Sequence, residues 1–235
     1  MKGSSAQMHA TGFPKSTDEE RKFALAEFLA PTLASEPVQA QLEALLQRLG
    51  LHRASEGSQS VVVTGVDAGV GATTVATGLG WSLASRHRIR AVLLGADLRT
   101  SEDGASAGPG LRQVLSEFTP LDDALVQTEY EGLDVLSAGP GDSGLAGADV
   151  HRLLRELESR YPVVIVDTAP VLEFPETALV ACEAQGTVLV AAHLETSRRR
   201  LSMAGNLIRS SGGRLRGAVV NRVDDPLPRW LSSRL

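Results

Sequence analysis

Residues 61–74, "VVVTGVDAGVGATT", run from an apolar strand into a glycine turn and on into a helical stretch. That is the build of a phosphate-binding loop. Gly69 and Gly71 let the backbone wrap closely with its N–H groups pointing inward, and Val70, Ala72, Thr73 and Thr74 complete the turn. The helix opening here adds the positive end of its dipole, and the Thr73 hydroxyl is placed to reach a magnesium ion. A plain glycine turn between strand and helix has the same look, so the stretch alone leaves both readings open. Ala72 stands where such loops carry a lysine. A charged hydrogen bond to the β- and γ-phosphates contributes roughly 1.5–3 kcal/mol, about 10–150-fold in affinity. For phosphoryl transfer the loss is larger, because the same charge stabilises the transition state. The backbone cradle is expected to survive without the lysine; efficient chemistry is not.

Other strand ends carry matching groups. "AVLLGADLR" places Asp97 and Arg99 at the end of one strand, and "VVIVDTAP" places Asp167 at the end of another. An aspartate after four apolar residues is the usual layout of a magnesium-holding acid. Standing alone it is as often a loop cap. Three features in order, each closing a buried strand, argue for a site: the glycine loop with Thr73, Asp97 with Arg99, and Asp167. Asn221, closing "LRGAVVN", can present its amide to an adenine edge.

The elements that must position these residues begin near residue 60. The apolar runs "SVVVTG", "AVLLGAD", "LDVLSAG", "VVIVDT", "TVLVAAH" and "LRGAVVN" suit strands buried on both faces. Helical stretches lie between them, near 73–86, 110–118, 148–160, 175–183 and 196–211. This alternation predicts an α/β fold, a doubly wound, mainly parallel sheet with helices on both faces, and ligands in such sheets bind where the strands end. Upstream, Val38, Leu42, Leu45, Leu46 and Leu49 mark an amphipathic helix, and "HRASEGSQ" reads as a loop. Ser16 and Glu19 fit a capping box for a helix over about 17–30, stopped by Pro31. The expected division is 1–35, a mobile tail and N-terminal helix, and 36–235, the P-loop-like domain.

The chain of 235 residues is 43% hydrophobic, enough for a packed core, and its formal charge of −5 disfavours nucleic acid as a partner. A single cysteine, Cys182, suits a reducing compartment. The N-terminal residues lack a signal-peptide core and no apolar run is long enough to span a bilayer, so a cytoplasmic protein is expected, meeting the membrane only through a partner. The five histidines show no metal-ligand spacing. The run "SRRR" at 197–200 reads as the solvated face of a helix rather than a patch for DNA or lipid.

From about residue 37 onward the order of segments resembles the bacterial tyrosine kinases (BY-kinases) of capsule and exopolysaccharide synthesis, relatives of the MinD and ParA ATPases. "GLRQVL", "LDDALVQT", "GLDVLSAGP", "HRLLRELESRYPVVIVDTAPV" and "GTVLVAAHLETSRRRLSMAGNLIRSSGGRLRGAVVNRVD" carry the likeness. It implies an ATP/ADP and magnesium site on this fold, with Thr73, Asp97 and Asp167 as remnant metal ligands and Arg99 beside the nucleotide. The family pattern "GEGKS" is "GVGAT" here, and "DADLR" is "GADLR", so that Gly95 replaces the acid the family implies as base for the accepting hydroxyl. The family's "PPNP" segment is replaced by "PGDSGLAG". Its tyrosine-rich tail has no counterpart: the tyrosines are Tyr130 and Tyr161. Its charged assembly helix aligns with Ala40, Glu43 and Leu46. These departures together lead to the expectation of a degenerate, pseudokinase-like subunit with weak or lost nucleotide binding. The implied partners are a membrane polysaccharide co-polymerase-type protein or another BY-kinase subunit. An active kinase with relocated groups and a MinD/ParA-like dimerisation switch are the alternatives.

Overall fold

The structure, a computed structural model, describes residues 33, 35–98, 108–141 and 147–223. The expected helix at 17–30 and Arg99 lie outside the described residues. The valine-rich runs form β1 (Gln59–Gly65), β2 (Ala91–Ala96), β4 (Leu133–Leu136), β5 (Val163–Thr168), β6 (Gly186–Ala192) and β7 (Leu215–Asn221). A seventh strand, β3 (Val126–Gln127), is too short to leave a periodic signal and was not expected. The order across the sheet is β3-β4-β2-β5-β1-β6-β7, and every neighbouring pair is parallel except β3 with β4. The predicted doubly wound, mainly parallel sheet is therefore the observed one.

Helices cover both faces, and residues alternate between two cores as the strand period of two requires. On one side α1 (Glu36–Leu49) and α2 (Ala72–Ser82) bury Leu46 and Leu79 against Val61, Val63, Leu93 and Ile165. On the other, α5 (Gly147–Arg160) buries Leu153, Leu154 and Leu157 against Val62, Leu94, Val164 and Val166. Each such side chain contributes roughly 1.5–3 kcal/mol by leaving water. The shorter helices α3 (Leu111–Leu115), α4 (Leu121–Ala124) and α6 (Glu176–Glu183) fill the connections, and α7 (Arg198–Ser210) lies beside β6 and β7.

Local signals explain the helix limits. Pro37 sits in the first turn of α1, and Gly50 ends it in the left-handed conformation, φ +71°. The following residues Leu51–Glu56 form a 3₁₀ helix where the sequence suggested a loop. In α2, Gly78 lets Leu42 of α1 approach so closely that a Cβ would meet both its methyls at 3.0 Å. Leu33, ahead of the boundary expected at 36, is buried in the same contact. Among the described residues no helix is long and apolar enough to cross a membrane.

Candidate functional site

The strands β1, β2 and β5 all end on one side of the sheet, and the candidate residues collect there. β1 runs out at Gly65 into the turn Val66–Gly71, and α2 starts at Ala72. Gly69 and Gly71 take φ of +72° and +90°, which favours glycine at both positions. Among the described residues, no acceptor takes up the amide N–H of Val70, Gly71, Ala72 or Thr73. Left-handed glycines, open amides and the start of an 11-residue helix make a backbone cradle for an anion. Val70 belongs to it through its backbone only, since its side chain is buried in the core. Thr73 is exposed in the first helical turn, with Thr74 half-buried beside it.

Asp167 is buried near the end of β5 and pairs across the sheet with Gly95 of β2 and with Val63 of β1. These three positions share the face on which α2 packs, so Asp167 stands on the loop's side of the sheet. Asp97 follows β2 directly and is half-buried. The two aspartates thus close adjacent strands at the same end, as the sequence predicted. No lysine occurs after Lys22, and no group of three or more His, Cys, Asp or Glu among the described residues forms a metal cluster.

The loop is also held by side chains whose part in it the spacing did not reveal. Asn221, expected to meet an adenine, donates from Nδ2 to the Val70 carbonyl at 2.9 Å. This contact requires a glycine at 71, where a Cβ would lie 2.3 Å from the same Nδ2. Arg222 donates to the Gly69 carbonyl and pairs with Glu195 at 3.0 Å. Asp67 accepts from Thr196 Oγ1 at 2.9 Å and from Arg200 Nε. The Ala68 N–H donates to Glu173 at 3.3 Å. Arg200 belongs to the "SRRR" run: Arg198 and Arg199 are exposed beside it, while Arg200 is turned onto the loop. Sequence distance hid the contacts made by the loop itself, which span 105 to 153 residues.

Neither tyrosine is presented as a phosphate acceptor. Tyr161 is buried, donates from Oη to Asp134 Oδ2 at 2.6 Å and lies under the Arg90 guanidinium. Burial, reinforced by Asp134, pushes its phenol pKa well up. Tyr130 packs edge-on against Trp81. Glu43, aligned with the assembly helix of the resembled family, is turned onto its own domain, 2.8 Å from His87.

The backbone thus fits a phosphate group, while Ala72 in the loop and Gly95 on β2 carry no charge.

No protein-family model matches the chain. It is 26% identical over 173 residues to the tyrosine-protein kinase CpsD of Streptococcus pneumoniae, a match covering 70% of this chain and 76% of that protein. It is 24% identical over 186 residues to the tyrosine-protein kinase ptk of Acinetobacter johnsonii, covering 75% of this chain and 25% of the relative, so it spans about a quarter of that protein's length. The solved BceF tyrosine kinase domain superposes with a TM-score of 0.69 at 26% identity, covering 88% of this chain and 90% of that domain. The fold extends to the MinD cell division protein of Aquifex aeolicus, with a TM-score of 0.58, 20% identity, and 75% and 72% coverage. In sequence the chain is thus similar to bacterial tyrosine-protein kinases, and in fold to the BceF kinase domain and to MinD.

Proposed function

We propose that the chain is a degenerate BY-kinase homologue that regulates or scaffolds the synthesis and export of capsule or exopolysaccharide, with weak or absent ATP binding. The observation that carries this reading is the pairing of Gly95 with Asp167 beside a loop that holds Ala72. A tyrosine kinase needs charge on the β/γ-phosphates and a group to take the proton of the accepting hydroxyl. Both positions are empty of charge here, and both tyrosines are packed into the domain.

A bound nucleotide would supply the transferable phosphoryl group, with magnesium as its counter-charge. Of the chain's own residues, the amides of Val70 to Thr73 would cradle phosphate, and Thr73, Asp97 and Asp167 are the remnant oxygen ligands. The partners that fit the reading are a membrane protein of the polysaccharide co-polymerase type or another BY-kinase subunit, with the chain in the cytoplasm and reaching the inner membrane through that partner. An active kinase with relocated charge is the second reading, favoured by the two guanidinium groups of Arg200 and Arg222 at the loop.

Titration with ATP and magnesium, followed by an assay for turnover, tests the proposal. Weak binding without turnover is expected. Tight, magnesium-dependent binding with phosphate transfer would establish the second reading instead.

A further inference from the structure

Among the described residues, two cations touch the phosphate loop, and both already have an anionic partner within the chain. Arg200 reaches the loop from the first turn of α7, where the Ser197 hydroxyl caps the helix by accepting from the Arg200 N–H at 3.2 Å. Its Nε is bonded to Asp67 Oδ1. The other oxygen, Oδ2, accepts from Thr196, whose hydroxyl also takes the Ala192 N–H at 3.1 Å. Asp67 is thus clamped by Thr196 of the turn between β6 and α7 and by Arg200 in the first turn of α7. Arg222, the second cation, is held by both oxygens of Glu195 in the same turn, at 3.0 and 3.1 Å. The backbone of that turn is itself constrained, since Leu194 takes φ +62°.

A guanidinium is the side chain best shaped to take a phosphate, through paired N–H donors. An exposed Arg–carboxylate pair is worth little to stability, so holding this arginine costs the fold little and has its main effect on what else it can bind. An incoming polyphosphate that takes Arg200 through a pair of donors including Nε must displace Asp67, and by any approach to this guanidinium it meets the negative charge of Asp67 at close range.

We propose that Asp67 is a specificity-determining residue of this loop: an internal carboxylate that withholds Arg200 from phosphate and so sets the loop against nucleotide polyphosphates. The proposal rests on the reading of the loop as a weakened nucleotide site and names the chain's own group that weakens it, beyond the loss of the lysine. Asp67→Asn removes the charge at nearly constant shape and leaves the amide oxygen for Thr196. It frees the guanidinium to turn toward the open amides of Val70 to Thr73.

The test is a titration of the full chain with inorganic pyrophosphate and with Mg-ATP, read by calorimetry and by the shift in melting temperature. Wild type, Asp67→Asn, Asp67→Asn/Arg200→Ala and Glu195→Gln are compared. Asp67→Asn is expected to bind pyrophosphate roughly 10-fold more tightly, the size of one charged hydrogen bond. Adding Arg200→Ala is expected to abolish that gain. Glu195→Gln is expected to leave affinity within about two-fold, because Arg222 stays engaged by the Gly69 carbonyl. An Asp67→Asn protein that melts cooperatively yet gains nothing overturns the proposal. So does a gain that persists without Arg200. Tight binding by the wild type would instead sink the weakened-site reading on which the proposal stands, and the two failures are told apart by which protein binds.

Discussion

Gly95 of β2 and Asp167 of β5 are direct partners across a parallel strand pair, on the face of the sheet where the helix after the phosphate loop packs. Paired positions in neighbouring strands lie about 5 Å apart. An acid at 95 would therefore stand beside the Asp167 carboxylate, and two carboxylates at that spacing call for a cation between them. Glycine removes the repulsion and the second oxygen donor together. With Ala72 in the loop, the proposed site carries no charge of either sign at these two positions.

Restoring those charges is expected to restore affinity. Ala72→Lys opens α2 with a side chain whose stem can lie along the partly buried position and whose ammonium reaches the loop mouth. At Gly95 an added Cβ meets its nearest neighbours, Ala138 N, Leu136 O and Ser137 Cα, at 3.5 to 3.7 Å, which is ordinary contact. The lysine alone should raise ATP affinity roughly 10–100-fold. The aspartate should help only when magnesium is present, because an unpaired carboxylate repels phosphate. Fluorescent-nucleotide binding by both single variants and the double variant, with and without magnesium, checks this. No gain in any of them would mean that the loop differs in shape as well as charge.

Incubation with Mg-ATP is expected to leave both tyrosines unmodified. Tyr161 would have to leave a buried site, its bond to Asp134 and its contact with Arg90 before its hydroxyl could meet a phosphate. Tyr161→Phe should lower stability by about 1–2 kcal/mol, the cost of leaving a part-buried acceptor without its donor, measured by urea unfolding. Stoichiometric phosphate on Tyr161 or Tyr130 by mass spectrometry, lost in Asp167→Ala, would overturn the expectation and establish an active kinase.

Tyr161 also predicts an alkaline limit. Its phenol pKa is raised in the folded state, so the proton is held more tightly there than in the unfolded chain. The resulting stability is complete below the ordinary phenol value of about 10 and is lost as pH rises above it. Stability of the wild type should therefore fall more steeply above pH 10 than that of Tyr161→Phe. Equal slopes in the two proteins would show that the phenol is not protected.

The backbone of the site was legible in the sequence because it depends on local rules. A valine run followed by Gly69 and Gly71 announces a strand, a turn and a helix, and "VVIVD" announces a buried strand ending in an acid. The clamp around the loop was not legible. Asn221 and Val70 are 151 residues apart, as are the ends of no periodic pattern, and only the parallel order of β1, β6 and β7 brings them together. The same holds for Glu43, which the resemblance placed on the assembly helix while its partner His87 lies beyond the end of α2. The strand β3 escaped for the opposite reason, since two residues carry no alternation.

At the acid end, the Glu43–His87 contact sets the sign. The bond from His87 holds the Glu43 carboxyl below the ordinary carboxylate range. A lowered acid contributes stability that is present above its unfolded pKa of about 4.3 and lost as pH falls through its folded value. Glu43→Gln should flatten the acid limb of the stability profile between about pH 5 and pH 3, measured by thermal unfolding across that range. An unchanged limb would show that the contact is not kept in solution.

The last prediction concerns the packing that holds α1 to the domain. Gly78 lies where α1 and α2 come closest, and an added Cβ would stand 3.0 Å from both Leu42 methyls and 3.1 Å from Leu33 Cδ2. Glycine inside a helix costs about 1 kcal/mol relative to alanine, so Gly78→Ala sets that gain against a contact a few tenths of an ångström too tight. The two effects should nearly cancel. Gly78→Leu has no such balance: its branched side chain must push α1 away, at an expected cost of about 2–3 kcal/mol. If the cause is the Leu42 contact, Leu42→Ala should be far less harmful in the Gly78→Leu background than alone, a coupling of roughly 1–2 kcal/mol. Urea unfolding of the four proteins in this cycle measures it. Simple additivity would show that α1 does not rest on α2 through this pair.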